Sequence, residues 1–156
     1  MSPAFEEVQR RSFVLVQVGK RRVALAAESV IELVAPAREQ QIPHRTPWLS
    51  GVILRRGRIV PVCDVGQLLG EEPSPLNGFH LIAESQSKGA RDRYAIPVGG
   101  ECVLMTPEST IPAQDHAEYV VEMLPLGEEK IEVLDLGKLI QQQESAFADT
   151  TQDVDS

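Results

Sequence analysis

Short β-branched and apolar runs alternate with turn residues along this chain, and the runs come in pairs. Phe13 to Val18 and Arg22 to Ala26 flank Gly19-Lys20-Arg21, and Val52 to Leu54 and Ile59 to Val62 flank Arg56-Gly57. Phe79 to Glu84 and Arg93 to Ile96 flank a longer polar loop from Ser85 to Ala90, and Tyr119 to Leu126 and Lys130 to Leu134 flank Gly127-Glu128-Glu129. Four hairpins follow, the first of them apolar on both faces, as strands covered on each side would be. Between the first two, Ala27 to Val34 reads as a short helix with Val30, Ile31, Leu33 and Val34 on one side and Pro36 closing it. Glu39 to Ile42 reads as an extended piece, and Pro43 and Pro47 stiffen the path through His44 to Trp48. Val98 to Met105 stands where that helix stood, but Gly99-Gly100 leaves a turn plus strand equally open.

The pattern repeats at a fixed spacing. Val60 to Leu69 matches Ile131 to Ile140 at an offset of 71 residues, in apolar, Asp, Gly and paired apolar positions. The same offset lays Arg22-Val23-Ala24-Leu25 on Arg93-Tyr94-Ala95-Ile96, and Pro36 on Pro107. Three anchors in one register argue for an internal duplication. The chain then divides into a polar leader (1–11), a first half (12–70), a linker rich in Pro and Glu (71–78), a second half (79–142) and an acidic tail (143–156) expected to be disordered.

Composition narrows the function. A hydrophobic share of 42% with only 4% aromatic describes a core of Val, Ile, Leu and Ala, and 156 residues suffice for one well-buried body. The leader is acidic and lacks an apolar signal core, which predicts a cytoplasmic protein. No apolar run reaches the roughly 20 residues that span a bilayer, so direct membrane insertion is not expected. A net charge of −8 argues against nucleic acid. The clusters Lys20-Arg21-Arg22 and Arg55-Arg56-Arg58 are local exceptions, read as solubilising charge at turns or, alternatively, as contacts for an acidic protein.

Candidate chemistry is sparse. No nucleophile elbow, zinc-binding His-Glu pair, phosphate loop or dinucleotide fingerprint occurs, so neither catalytic residues nor a cofactor are assigned. Cys63 and Cys102 lie outside any Cys-x-x-Cys or Cys/His cluster and read as small buried apolar residues. His44, His80 and His116 fall in separate segments and read as surface or hinge histidines, with no metal implied. Asp64 and Asp135 could be pictured as a carboxylate pair, but each stands just before a short apolar helix and reads as its N-cap. Gln67 three residues after Asp64 supports that reading.

Taken together, Pro47-Trp48-Leu49-x-Gly51-Val52-Ile53-x-x-Arg56-Gly57-x-Ile59-Val60-Pro61-Val62-x-Asp64, the preceding hairpin and the later Leu134-Asp135-Leu136 resemble the CheW-like domain over about 12–142. The resemblance implies a mainly β fold of two intertwined five-stranded SH3-like β barrels with short helices. It also implies a non-enzymatic adaptor of bacterial chemosensory arrays, joining the cytoplasmic tips of methyl-accepting chemoreceptors to the regulatory domain of a CheA-type histidine kinase. Its receptor groove maps onto Val30, Glu32, Gly51, Arg56 and Gly57. The family usually has Asn-Leu-Arg-Gly at the turn where this chain has Leu54-Arg55-Arg56-Gly57, which puts partner choice in question rather than the fold. The alternative it leaves is a divergent member that binds kinase or other array proteins without standard receptor coupling, as in a pilus or surface-motility system.

Overall fold

A computed structural model describes residues 10–42, 46, 48–87 and 90–154; the leader up to residue 9, Pro43 to Arg45 with His44, Pro47, Lys88, Gly89, Asp155 and Ser156 lie outside the described residues. Eleven strands and two helices are present among these: β1 (Phe13–Val18), β2 (Arg21–Ala26), β3 (Val30–Val34), β4 (Gly51–Arg55), β5 (Arg58–Val62), α1 (Val65–Leu68), β6 (Phe79–Ser87), β7 (Ala90–Val98), β8 (Val103–Met105), β9 (Ile111–Pro112), β10 (Val120–Leu126), β11 (Glu129–Leu134) and α2 (Leu136–Val154). They form a six-stranded sheet in the order β8-β1-β2-β11-β10-β9 and a five-stranded sheet in the order β3-β6-β7-β5-β4. The fold is mainly β, and neither sheet belongs to one half of the sequence.

The exchange is reciprocal. β5 of the first half runs parallel to β7 of the second through Val62 and Ala95, and β11 of the second runs parallel to β2 of the first through Val133 and Ala24. Those residues are each other's counterparts at the 71-residue offset. The edges correspond as well: β8 lies on β1 with Val103 facing Leu15, as β3 lies on β6 with Glu32 facing Ile82. The two-residue β9, where Ile111 faces Met123, is matched by an isolated bridge between Gln40 and Val52.

Each sheet wraps its own apolar cluster, and the clusters agree position by position. Val34, Ile53, Val60, Val62, Ile82 and Ala95 fill one. Their counterparts Met105, Leu124, Ile131, Val133, Leu15 and Ala24 fill the other; all stand 71 residues apart except Ile82 and Leu15, which are 67 apart because the β6–β7 hairpin is longer than the β1–β2 hairpin. A third cluster, including Val18, Cys63, Val65, Leu81, Ile96 and Leu139, is drawn from both halves. Burial and the charge of Asp64 push the Cys63 thiol up to about 12, so this cysteine is an inert core residue.

One position breaks the match. Phe13, which faces Ala26, corresponds to His80, which faces Pro97. His80 is therefore no surface or hinge histidine: it is fully buried, with Nε2 3.6 Å from the buried Glu39 carboxylate, which in turn accepts a hydrogen bond from Ser50 at 2.7 Å. The turn residues just before it, Asn77-Gly78, concealed that it lies inside β6, one residue from its start. His116 is exposed, its Nδ1 2.7 Å from the Gln114 carbonyl oxygen.

Two further expectations are corrected. Ala27 to Val34 is not a helix but a 3₁₀ turn over Ala27–Ser29 followed by β3, because pairing with β6 satisfies a backbone that this Val- and Leu-rich run offers equally to strand or helix. The segment expected as a disordered tail continues α2 as far as Val154. Phe147, seven residues after the buried Ile140, lies on the same face and meets Trp48 edge to face, with centroids 5.7 Å apart. Among the described residues, no helix is long and apolar enough to cross a membrane.

Both aspartates cap helices. Asp64 accepts from the Gln67 amide at 3.2 Å and Asp135 from the Lys138 amide at 3.0 Å, again 71 residues apart. Asp64 is also buried and accepts from the amide and hydroxyl of Ser74, each at 2.8 Å, fastening the segment between the halves. Replacing Asp135 with Ala is expected to cost about 1 kcal/mol, the worth of one cap, and replacing Asp64 with Ala about 2–3 kcal/mol because it also strands the Ser74 groups. Urea denaturation of the two variants checks both the values and their order.

Candidate functional site: an arginine-lined groove

The β4–β5 hairpin turns through Arg56 and Gly57, both with positive φ (53° and 77°), the two-residue turn whose twist matches the strands it joins. Gly accepts this backbone freely; Arg56 pays roughly 1 kcal/mol for it. The turn brings Arg55 and Arg56 to Glu32 on β3. There Ile31 is the extra residue of a β-bulge, since Val30 faces Ala83 and Glu32 faces the adjacent Ile82. The bulge breaks strict alternation, so Ile31 and Glu32 line the same groove. That groove, about 870 Å³, lies between β3, the β4–β5 hairpin and the β6–β7 hairpin, with Ile59, Val60 and Tyr94 among its walls.

A two-pronged ion pair spans it. Arg55 donates to the two Glu32 carboxylate oxygens from Nε at 2.9 Å and from a terminal nitrogen at 3.0 Å. Arg56 stands 3.9 Å from the same carboxylate with its side chain 76% exposed. The hydrogen bond from Arg55, opposed by desolvation and helped by the charges of Arg55 and Arg56, holds the Glu32 carboxyl below the usual carboxylate range, and Arg55 is raised in turn. Burial, followed by the charges of Asp92, Cys63 and Glu144, raises the Tyr94 phenol.

Of the five residues mapped from sequence, Glu32 and Arg56 line the groove, and Gly57 forms the turn beside it. Val30 packs half-buried against the core shared by both halves, outside the groove lining. Gly51 begins β4 under Gln40, where a Cβ would run into the Gln40 carbonyl oxygen and the Glu39 side chain. Its place is structural. The family pattern does not place Arg55 among the groove residues, and in the sequence it stands only within the Arg55-Arg56-Arg58 cluster and as a replaced apolar residue; the Glu32 partner 23 residues away is visible only once β3 and β4 are placed. Arg58, Arg91 and Arg93 also line the groove, the latter two on β7.

No cluster of His, Cys, Asp and Glu that could hold a metal occurs among the described residues. The arrangement offers charge, apolar surface and a rigid turn, the means of binding a protein segment. The sequence profile described as the CheW-like domain matches residues 12–90, just over half of the chain. The chain belongs to the CheW-like domain family. This is a family of scaffolds and adaptors, not of enzymes. Relatives agree with that placement: a probable chemotaxis protein CheW from Rhizobium etli is 21% identical over 143 residues, covering 88% of this chain and 92% of that protein. The crystal structure of the scaffolding protein TtCheW from Thermoanaerobacter tengcongensis superposes with a TM-score of 0.66 at 19% identity, covering 84% of this chain and 92% of that one, and shows the shared fold.

Two outcomes follow for this site. Because Glu32 is depressed in the folded chain, the contribution of its pair with Arg55 is present above the ordinary carboxylate value of 4.5 and is lost as pH falls through the lower folded value. A carboxyl-detected NMR titration should show Glu32 titrating below 4.5 in the wild type and moving back up toward it in Arg55→Leu. Replacing Gly51 with Ala should destabilise the fold by about 2–4 kcal/mol in chemical denaturation, since backbone rather than a flexible side chain must move.

Proposed function

We propose that this chain is a non-enzymatic adaptor of a bacterial chemosensory array, working in the cytoplasm against the inner membrane. It couples the cytoplasmic tips of methyl-accepting chemoreceptors to the regulatory domain of a CheA-type histidine kinase. The observation that carries the reading is the groove between β3 and the β4–β5 hairpin, where Glu32, Arg55 and Arg56 frame the exposed side chains of Ile31 and Ile59. A helical hairpin with an apolar stripe fits such a surface, its stripe on the isoleucines and its polar flank on the charges. The kinase contact is supported by a different surface. Among the described residues, edge strand β8 pairs on one side only, with β1, and it exposes Val103 and Leu104, an edge suited to a partner barrel.

The turn gives a second reading its own support. Arg55 occupies the place of the family's usual apolar residue and binds the Glu32 carboxylate with two hydrogen bonds, so a receptor must meet a groove whose acid is already engaged. A divergent adaptor that binds kinase but not standard receptors would follow, and a pull-down that recovers kinase and never receptor selects it.

Replacing Arg56 with Glu tests the main reading. The exposed side chain contributes little to folding, so the thermal midpoint should hold within a few degrees. Receptor-tip association should weaken about tenfold or more, because a cation facing the partner becomes an anion beside Glu32. Kinase binding should be unchanged. Unaltered receptor affinity in a titration by calorimetry would remove Arg56 from the interface.

A further inference from the structure

The adaptor reading does not by itself set the charge of the groove, yet the groove is strongly basic in an acidic chain. Five arginines line it, Arg55, Arg56, Arg58, Arg91 and Arg93, one third of the 15 Lys and Arg residues. Only two carboxylates, Glu32 and Asp92, stand among them, an excess of three positive charges in a chain of net charge −8. Part of this charge is already used. Arg55 is bound to Glu32, and Arg93 lies 3.3 Å from Glu84. Arg56 touches Glu32 only at 3.9 Å, while Arg58 and Arg91 are exposed and form no ion pair among the described residues.

We infer that the groove is specific for an acidic amphipathic helix: the receptor segment it takes carries carboxylates beside its apolar stripe, and these meet Arg56, Arg58 and Arg91. This rests on the receptor reading above and narrows the partner within it. Charge complementarity is the argument. Two guanidinium groups without an ion pair among the described residues, Arg58 and Arg91, and a third, Arg56, held at only 3.9 Å from its acid, favour a carboxylate-bearing partner and speed its encounter, and they repel a basic one. The apolar wall decides between kinds of anion. Ile59 is 70% exposed and Ile31 40%, surface that an inorganic anion would not cover and that a helix stripe does. The acidic remainder of the chain would repel a nucleic-acid backbone extending past the groove. Arg55 has a positioning part: by binding Glu32 it neutralises one of the two acids that would oppose the incoming carboxylates.

The experiment uses the full chain and, as probe, the purified cytoplasmic hairpin of a chemoreceptor from the same genome, titrated by calorimetry at low and high sodium chloride. Arg58→Gln/Arg91→Gln removes charge from exposed positions without disturbing the Glu32 pair, and Ile59→Asp spoils the apolar wall. The expected result is wild-type binding that weakens with salt. The double arginine variant should bind about 3- to 30-fold more weakly at low salt and lose most of the salt dependence, and Ile59→Asp should bind weakly at both. If Ile59→Asp loses binding while the arginine variant and the salt series match wild type, the groove holds a receptor but acidity is not what it selects, and this inference falls alone. If neither variant changes binding, or the wild type does not bind, the receptor reading falls and takes the inference with it. A light-scattering dimer of the free chain that the arginine variant dissociates would assign the groove to a second copy and overturn the inference.

Discussion

The structure depends on the two parallel strand contacts that cross between its halves. Val62 against Ala95 and Val133 against Ala24 are single steps in two ladders, but without them each sheet would separate into a hairpin and a remnant with open edges. Parallel neighbours cannot be joined by a tight turn, so each contact has to be made by a strand from elsewhere in the sequence. Duplication solves this by supplying every missing strand from the other copy. The central apolar cluster, drawn from both halves, is what such an exchange leaves between two sheets.

This constraint explains how the groove is held. Glu32 sits on a strand whose neighbour, β6, comes from the second half, and Arg55 and Arg56 sit on a hairpin whose neighbour, β7, also does. The Glu32 to Arg55 pair thus joins two edges of one sheet, 23 residues apart in sequence. Its energy as a half-buried, solvent-accessible ion pair is modest. Its geometric effect is larger, since it fixes the two arms of the groove while leaving the isoleucines between them uncovered.

Much of this was legible in the sequence. The hairpins followed from alternation and turn residues, and the register at 71 residues proved to be a spatial equivalence extending to helix caps and individual core positions. Glu32 and Arg56 were placed at one surface on the strength of the family pattern, and the structure sets them within 3.9 Å. What could not be read there has physical causes. Val30 to Val34 has the composition of either element, and only the presence of β6 decides for a strand. His80 looks like a surface residue until its partner in the other half, Phe13, shows that it stands in the middle of a core. Residues beyond 142 lack an apolar run, and Phe147 of that helix meets Trp48 across about 100 residues of chain. Arg55 was visible as a departure, but its role needs a carboxylate on another strand.

The agreement between the two interiors has a counterpart in the disagreement of their outer faces. Inside, Ile53 and Leu124, Val60 and Ile131, and Val62 and Val133 stay apolar in both copies. Outside, the counterparts of Glu32, Arg55 and Arg56 are Val103, Leu126 and Gly127, a change from charged to uncharged at each position. A repeated unit bound by interlocked strands has little freedom to drift where it is packed and much where it meets water. Two sockets of unlike chemistry can therefore arise from one ancestral surface, and a molecule built this way can grip two different neighbours at once without having acquired a second fold.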